Sequence, residues 1–131
     1  MPSTTIYNFG DVVLVGFPFT NLQAVKKRPA VVISRKAYQQ NRPDVILMAV
    51  TSQIRQPLAT GEAVLKDWQA AGLAKPSVLK PLIATLEQRQ IVKVMGKLSD
   101  ADRENLERVM QAILGSCPRI ESLPGDNQPA P

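Results

Sequence analysis

KKRPAVVIS, residues 26 to 34, places three consecutive cations against a proline and then a run of small and β-branched residues. Val31, Val32 and Ile33 carry two heavy substituents on Cβ, which suits an extended strand better than a helix. Pro29 cannot donate to a ladder, so it marks the beginning of the strand, and it biases the preceding Arg28 toward an extended backbone. The stretch therefore reads as a short buried strand with an arginine at its root. From this pattern alone two readings of Arg28 stand side by side: a surface cation at a strand start, or a side chain projected from a rigid anchor.

The same texture repeats outward from this point. Upstream, Gly10-Asp11 is a turn signal followed by VVLVGF. Downstream come DVILMAV (44 to 50), GEAVL (61 to 65), SVLKPLIATL (77 to 86) and IVKVMGKL (91 to 98), each short, rich in β-branched residues and bounded by Pro, Asn or Gly. Pro81 argues that its strand lies at an edge or carries a bulge. DWQAAG (67 to 72) reads as one helical turn stopped by glycine. A longer helix follows Ser99, with Asp102 three residues on as in a capping box. Leu98, Leu106, Val109, Met110, Ile113 and Leu114 share one face, with Asp102 among them, before Gly115. Several short strands and one terminal helix predict a mainly β, α+β domain: a small, strongly bent antiparallel sheet or partly open barrel. No internal repeat is present. Residues 1–115 are expected to form the domain, and residues 116–131, PRIESLPGDNQPAP after Ser116 and Cys117, are too polar and Pro-rich to fold and are expected to be disordered.

Composition narrows the chemistry. The chain has 131 residues, one domain's worth, with 44% hydrophobic and 21% charged residues. No apolar run approaches the roughly 20 residues that span a bilayer, and the N-terminus lacks a secretory pattern, so a cytoplasmic protein is expected. There is no histidine and one cysteine, Cys117, which leaves no internal disulfide and no zinc site. Catalysis by serine or cysteine through a histidine base is excluded. Six of the eleven acids lie beyond residue 98; the others, Asp11, Asp44, Glu62, Asp67 and Glu87, are scattered, which argues against a metal nuclease. Net charge is +5, but residues 1 to 98 hold thirteen cations and five carboxylates, a net +8. A surface that basic attracts polyanions, of which nucleic acid is the common intracellular one.

One reaction suits this inventory: cleavage of RNA through its own 2′-hydroxyl. The substrate supplies the nucleophile, and the protein aligns it, offsets charge on the phosphate oxygens and helps protons move. An arginine fork matches two phosphate oxygens, and a threonine hydroxyl can orient the phosphate. Arg28 is one candidate. Thr51 and Ser52 close the apolar strand DVILMAV and open a polar loop, TSQIRQP, so a groove shared with Arg28 requires only that the two strands be neighbours. Thr51 also reads simply as a β-former ending a strand.

GDVVLVGFPFTN, KKRPAVVIS, VTSQ, LAKPSVLKPLIATLE and GKLSDADRENL, in that order from about Gly10 to Leu114, resemble the MazF/PemK family of toxins from type II toxin-antitoxin pairs. The resemblance implies an SH3-like barrel with a C-terminal helix, as in MazF/PemK/CcdB-type toxins, and a homodimer. It implies an endoribonuclease that cuts single-stranded RNA sequence-selectively without metal or other cofactor, leaving a 2′,3′-cyclic phosphate. It also implies a cognate antitoxin with an acidic, flexible segment, for which the basic first 98 residues are a suitable partner.

Position by position, the family's catalytic arginine matches Arg28 and its threonine matches Thr51. Ser52 and Gln53 then stand as base or sugar contacts, and Lys26 and Lys27 as phosphate contacts. Where some members carry an arginine and, two residues on, a carboxylate, this chain has Lys80 and Leu82. Lys80 retains the charge without the fork, whereas Leu82 cannot accept a proton and is expected to pack in the barrel. Trp68 is expected to cover the core rather than to stack a base. Two other functions share the fold: a non-catalytic SH3-like nucleic-acid-binding module, and a toxin that poisons a protein target such as gyrase through its C-terminal helix tip, a role to which ILGSCPRIES lends no support.

Overall fold

The structure, a computed structural model, describes residues 6–16 and 27–115. Its strands are β1 (Asp11–Gly16), β2 (Lys27–Val32), β3 (Asp44–Thr51), β4 (Ala63–Val64), β5 (Val78–Glu87) and β6 (Ile91–Lys97). Its helices are α1 (Lys36–Gln40) and α2 (Asp100–Ile113), and a 3-10 turn, Gln88–Gln90, links β5 to β6. The six strands form one antiparallel sheet in the order β4-β5-β3-β2-β1-β6. Each strand expected from the sequence is present. The tail after Gly115 and Lys26 lie outside the described residues.

That order forces the sheet to curl. β5 and β6 are four strand spacings apart, about 19 Å in a flat sheet. The 3-10 turn between them rises about 2 Å per residue and so separates Glu87 from Ile91 by about 8 Å. The sheet rolls until those two ends lie side by side, giving a barrel that is bent but not closed by hydrogen bonds among the described residues. Alternation along the strands then serves two cores. Val13, Val15, Ala30, Val32, Val45 and Leu47 fill the inside with Tyr7. Val12, Val31, Met48, Val50 and Leu79 face outward, where Leu106 and Val109 of α2, together with Leu65, Ala71 and Leu73, cover them. Burying Leu106 and Val109 is worth about 1.5–3 kcal/mol each.

Irregularities follow the residues that cause them. From Met48↔Ile83 to Val50↔Leu79, β3 advances two residues while β5 advances four, so Lys80, Pro81 and Leu82 form a bulge between paired strands. The proline needs no ladder partner there. The bulge also corrects the reading of Leu82, which is 38% exposed instead of packed in the barrel. The turn at 67–72 is stopped as expected: Leu73 N–H donates to the Trp68 carbonyl (3.1 Å) and Gly72 N–H to that of Gln69 (3.0 Å), a Schellman pattern. Gly72 has φ +86°, and a β-carbon there would collide with the Met95 carbonyl oxygen, so this position needs glycine. Trp68 packs on the outer core.

Ser99 Oγ accepts from Asp102 N–H at 3.2 Å, which caps α2. The Asp102 carboxylate does not complete the capping box. It is fully buried and instead accepts from the backbone N–H groups of Lys66 and Asp67, both at 2.9 Å, tying α2 to the segment before the Gly72 turn. α1 was not foreshadowed in the sequence. It is five residues long with no side-chain cap, and the buried Gln39 amide holds it in place by exchanging two 2.8 Å hydrogen bonds with the backbone of Tyr7. Among the described residues no helix is long and apolar enough to cross a membrane.

Candidate active site

β2 and β3 are neighbours, with Ala30 opposite Ala49 and Val31 opposite Met48. Carrying that register two residues further sets Arg28 across from Thr51. On its other side Arg28 pairs with Val15 of β1, and Thr51 pairs with Val78 of β5. In an antiparallel sheet the start of β2, the end of β3 and the start of β5 meet at one end of the barrel. A groove of about 300 Å³ opens there, lined by Arg28, Pro29, Val50, Thr51, Ser52, Gln53, Leu73, Ala74, Lys75, Ser77 and Met95.

Its floor is apolar and fixed: Val50 and Leu73 are buried and Met95 packs against the same core. Its rim is polar, with Arg28, Ser52, Gln53 and Lys75 exposed and Thr51 half-buried. Gln53 N–H donates to Thr51 Oγ1 at 3.1 Å, which folds the loop after β3 back onto the threonine. With one lone pair engaged in this way, the Thr51 hydroxyl is left to donate its proton outward. Among the described residues two cations and no carboxylate line the groove, so it suits an anion. Among the described residues the side-chain ion pair is Arg89–Glu87, which lies elsewhere.

Of the residues singled out in the sequence, the structure brings together Arg28, Thr51, Ser52 and Gln53. Lys27 is exposed at the start of β2, paired with Gly16, and does not line the groove. Lys80 is exposed on the β5 bulge, also outside the lining, as is Leu82. Lys75 and Ser77 were missed; the signal was present in KPSVL, residues 75 to 79, a second cation–proline–small–valine run like RPAVV. A larger cavity of about 460 Å³ between α2 and the end of β2 is lined by Phe9, Ile33, Arg35, Glu107, Met110 and Gln111, none of them a candidate. Four of these are apolar or amide side chains and the two charged ones are of opposite sign, so the smaller groove is the better anion site. No group of three His, Cys, Asp or Glu residues able to hold a metal ion occurs among the described residues.

Residues 8–114 match the family described as PemK-like, MazF-like toxin of type II toxin-antitoxin system. The chain belongs to this family. Comparison of the toxin's sequence with curated proteins returns no match. Among solved structures, MazF of Deinococcus radiodurans is similar with a TM-score of 0.65 at 21% identity, covering 86% of this chain and 99% of that one. Toxin MazF-mt6 of Mycobacterium tuberculosis gives 0.61 at 17% identity, covering 76% and 91%. An endoribonuclease from a Mycobacterial species, solved in complex with its cognate antitoxin, gives 0.62 at 15%, covering 79% and 90%. At these identities the structural likeness speaks to the fold, and it agrees with the SH3-like barrel and C-terminal helix expected of a MazF/PemK toxin.

Proposed function

We propose that this toxin is a metal-independent endoribonuclease that cuts single-stranded RNA at selected sequences by attack of the RNA's own 2′-hydroxyl. The observation that carries the reading is the anion-suited groove in which Arg28 and Thr51 face each other across β2 and β3. The 2′-oxygen bonds to phosphorus as the P–O5′ bond breaks, leaving a 2′,3′-cyclic phosphate and a 5′-hydroxyl. The 2′-hydroxyl proton leaves to water and the 5′-oxygen takes one up. The Arg28 guanidinium donates to two non-bridging oxygens, where negative charge accumulates in the transition state. The outward-facing Thr51 hydroxyl donates to the same phosphate and holds it in line. Ser52 and the Gln53 amide, on the loop that Thr51 fastens, contact bases and sugars and supply selectivity. DNA lacks the 2′-hydroxyl and is not cut.

Partners follow from the same charge. The net +8 of residues 1 to 98 suits an antitoxin whose acidic, flexible segment folds across the groove and keeps RNA out. That the mycobacterial endoribonuclease was solved with its antitoxin, and MazF of Deinococcus radiodurans with MazE, supports an antitoxin as partner. We extend the family pattern to a cytoplasmic homodimer.

The test is incubation of purified toxin with a long single-stranded RNA in excess EDTA, beside Arg28→Ala, with mapping of the new ends. Discrete cuts ending in cyclic phosphate are expected, slowed by about 10²–10³-fold in the variant, the usual effect of removing one transition-state donor. Because Arg28 is exposed, the variant should fold normally. Intact RNA from folded wild-type toxin free of antitoxin would remove the ribonuclease reading, and equal cleavage by both proteins would remove Arg28 from it.

A further inference from the structure

Arg28 is not the only cation held at the groove by a following proline. Lys75 precedes Pro76, which biases its backbone toward an extended form as Pro29 does for Arg28. Its position is fixed further by Ser77, only 3% exposed, whose hydroxyl donates to the Lys75 carbonyl at 2.9 Å. The Ser77 carbonyl in turn accepts from Leu65 N–H at 2.9 Å, beside β4. On the other side of Lys75 the chain is pinned by buried Leu73 and the Gly72 turn. The backbone of Lys75 is therefore held on both sides while its ammonium stands exposed at the rim, where the described lining offers no carboxylate.

The strand order gives this cation a place. β3 lies between β2 and β5, so Thr51 sits between the root of β2, which carries Arg28, and the root of β5, which carries Lys75. We propose that Lys75 is the second phosphate-binding cation of the groove, holding the RNA backbone phosphate adjacent to the one that Arg28 and Thr51 engage. This rests on the ribonuclease reading for the identity of the ligand. Lysine suits the role: a compact point charge on a flexible stem binds a phosphate without demanding the fork geometry needed at the reacting centre. Lys75 thus positions substrate, and Arg28 acts on the transition state.

The experiment measures binding and cleavage separately. Binding uses a mixed-sequence pool of 2′-O-methyl single-stranded RNA, which cannot be cut, titrated at several salt concentrations with wild-type toxin and with Lys75→Gln, Lys75→Arg and Lys36→Gln. Losing one phosphate contact should flatten the plot of log affinity against log salt by about 0.7, equivalent to about fivefold weaker binding at 0.1 M salt. With cleavable RNA, Lys75→Gln should raise KM by the same factor and leave kcat within about twofold. Lys75→Arg should restore affinity and slope, and Lys36→Gln, on α1 away from the groove, should change neither. An unchanged slope and affinity in Lys75→Gln would overturn the proposal, as would a fall in kcat at constant KM. If wild-type toxin binds the pool but cuts no RNA, the ribonuclease reading fails, and the salt slope alone still decides the role of Lys75.

Discussion

Asp102 joins the helix to the wall of the groove, and replacing it should damage both. Its carboxylate is fully buried and accepts two 2.9 Å hydrogen bonds from Lys66 and Asp67 N–H. In Asp102→Ala both donors lose their partner. A buried donor left unsatisfied costs about 1–3 kcal/mol, so the variant should lose about 3 kcal/mol, allowing for partial access of water. Asp102→Asn keeps one acceptor oxygen but turns an amide donor toward the second N–H, and should lose about half as much. Ser99→Ala, which removes only the cap, should lose about 1 kcal/mol. Urea unfolding followed by circular dichroism reads these differences: with a slope of about 2 kcal/mol per molar, Asp102→Ala should shift the midpoint down by about 1.5 M. The segment it anchors runs through the Gly72 turn to Leu73, Ala74 and Lys75 of the groove. KM for RNA should therefore rise even at temperatures where the variant is folded. A loss below about 1 kcal/mol in Asp102→Ala would refute the reasoning, because it would mean that the two N–H groups find other partners and the carboxylate is not what docks the helix.

Two further outcomes are expected. Thr51→Val keeps the shape but removes the hydroxyl, so kcat for RNA cleavage should fall about 10²-fold, with Thr51→Ser within about tenfold of wild type; full activity in the valine variant would remove the hydroxyl from the mechanism. Burial, with a smaller contribution from the nearby Asp11 carboxylate, raises the pKa of the Tyr7 phenol above its ordinary value of 10.0. The folded state then holds the proton more tightly than the unfolded chain. The stability linked to this group is fully present below pH 10 and is lost as pH rises through the higher folded value. Denaturation midpoints between pH 8 and 11 should fall less steeply in Tyr7→Phe than in wild type, and parallel curves would contradict the account.

What was legible in the sequence depended on whether the information was local. β2, β3, β5 and β6 announced themselves through β-branched runs between turn residues, and α2 through its cap and its apolar face. Arg28 and Thr51 were legible because each sits at the end of a clear strand, and adjacency of the two strands was the only added requirement. Lys75 stands in a similar local run, KPSVL, but placing it beside Thr51 also needs β5 to lie on the far side of β3 from β2, a strand order that no local pattern encodes. α1 escaped for a related reason: KAYQQ has no capping side chain, and its place is set by the Gln39 amide bonding the backbone of Tyr7, 32 residues away in the chain. Leu82 misled because an apolar residue in an alternating strand reads as core, whereas the bulge around Pro81 breaks the alternation and turns Lys80, Pro81 and Leu82 together toward solvent.

The position of that bulge bears on how far this toxin departs from its family. The resemblance in the sequence sets Leu82 where some members carry a carboxylate, yet among the described residues neither Lys80 nor Leu82 lines the groove. The described lining around Arg28 and Thr51 holds a pair of cations and no carboxylate. Two like charges sharing one groove repel by some tenths of a kcal/mol at the dielectric of a wet surface, a small penalty in the free protein that becomes an attraction once an anion enters. Asp102 and Lys75 mark the two ends of this logic. The first satisfies buried donors and holds the wall still; the second contributes nothing to the fold that its backbone bonds do not already supply. Changing Lys75 should therefore leave unfolding free energy level or slightly higher while RNA affinity falls, the pattern expected of a residue kept for its ligand rather than for the barrel.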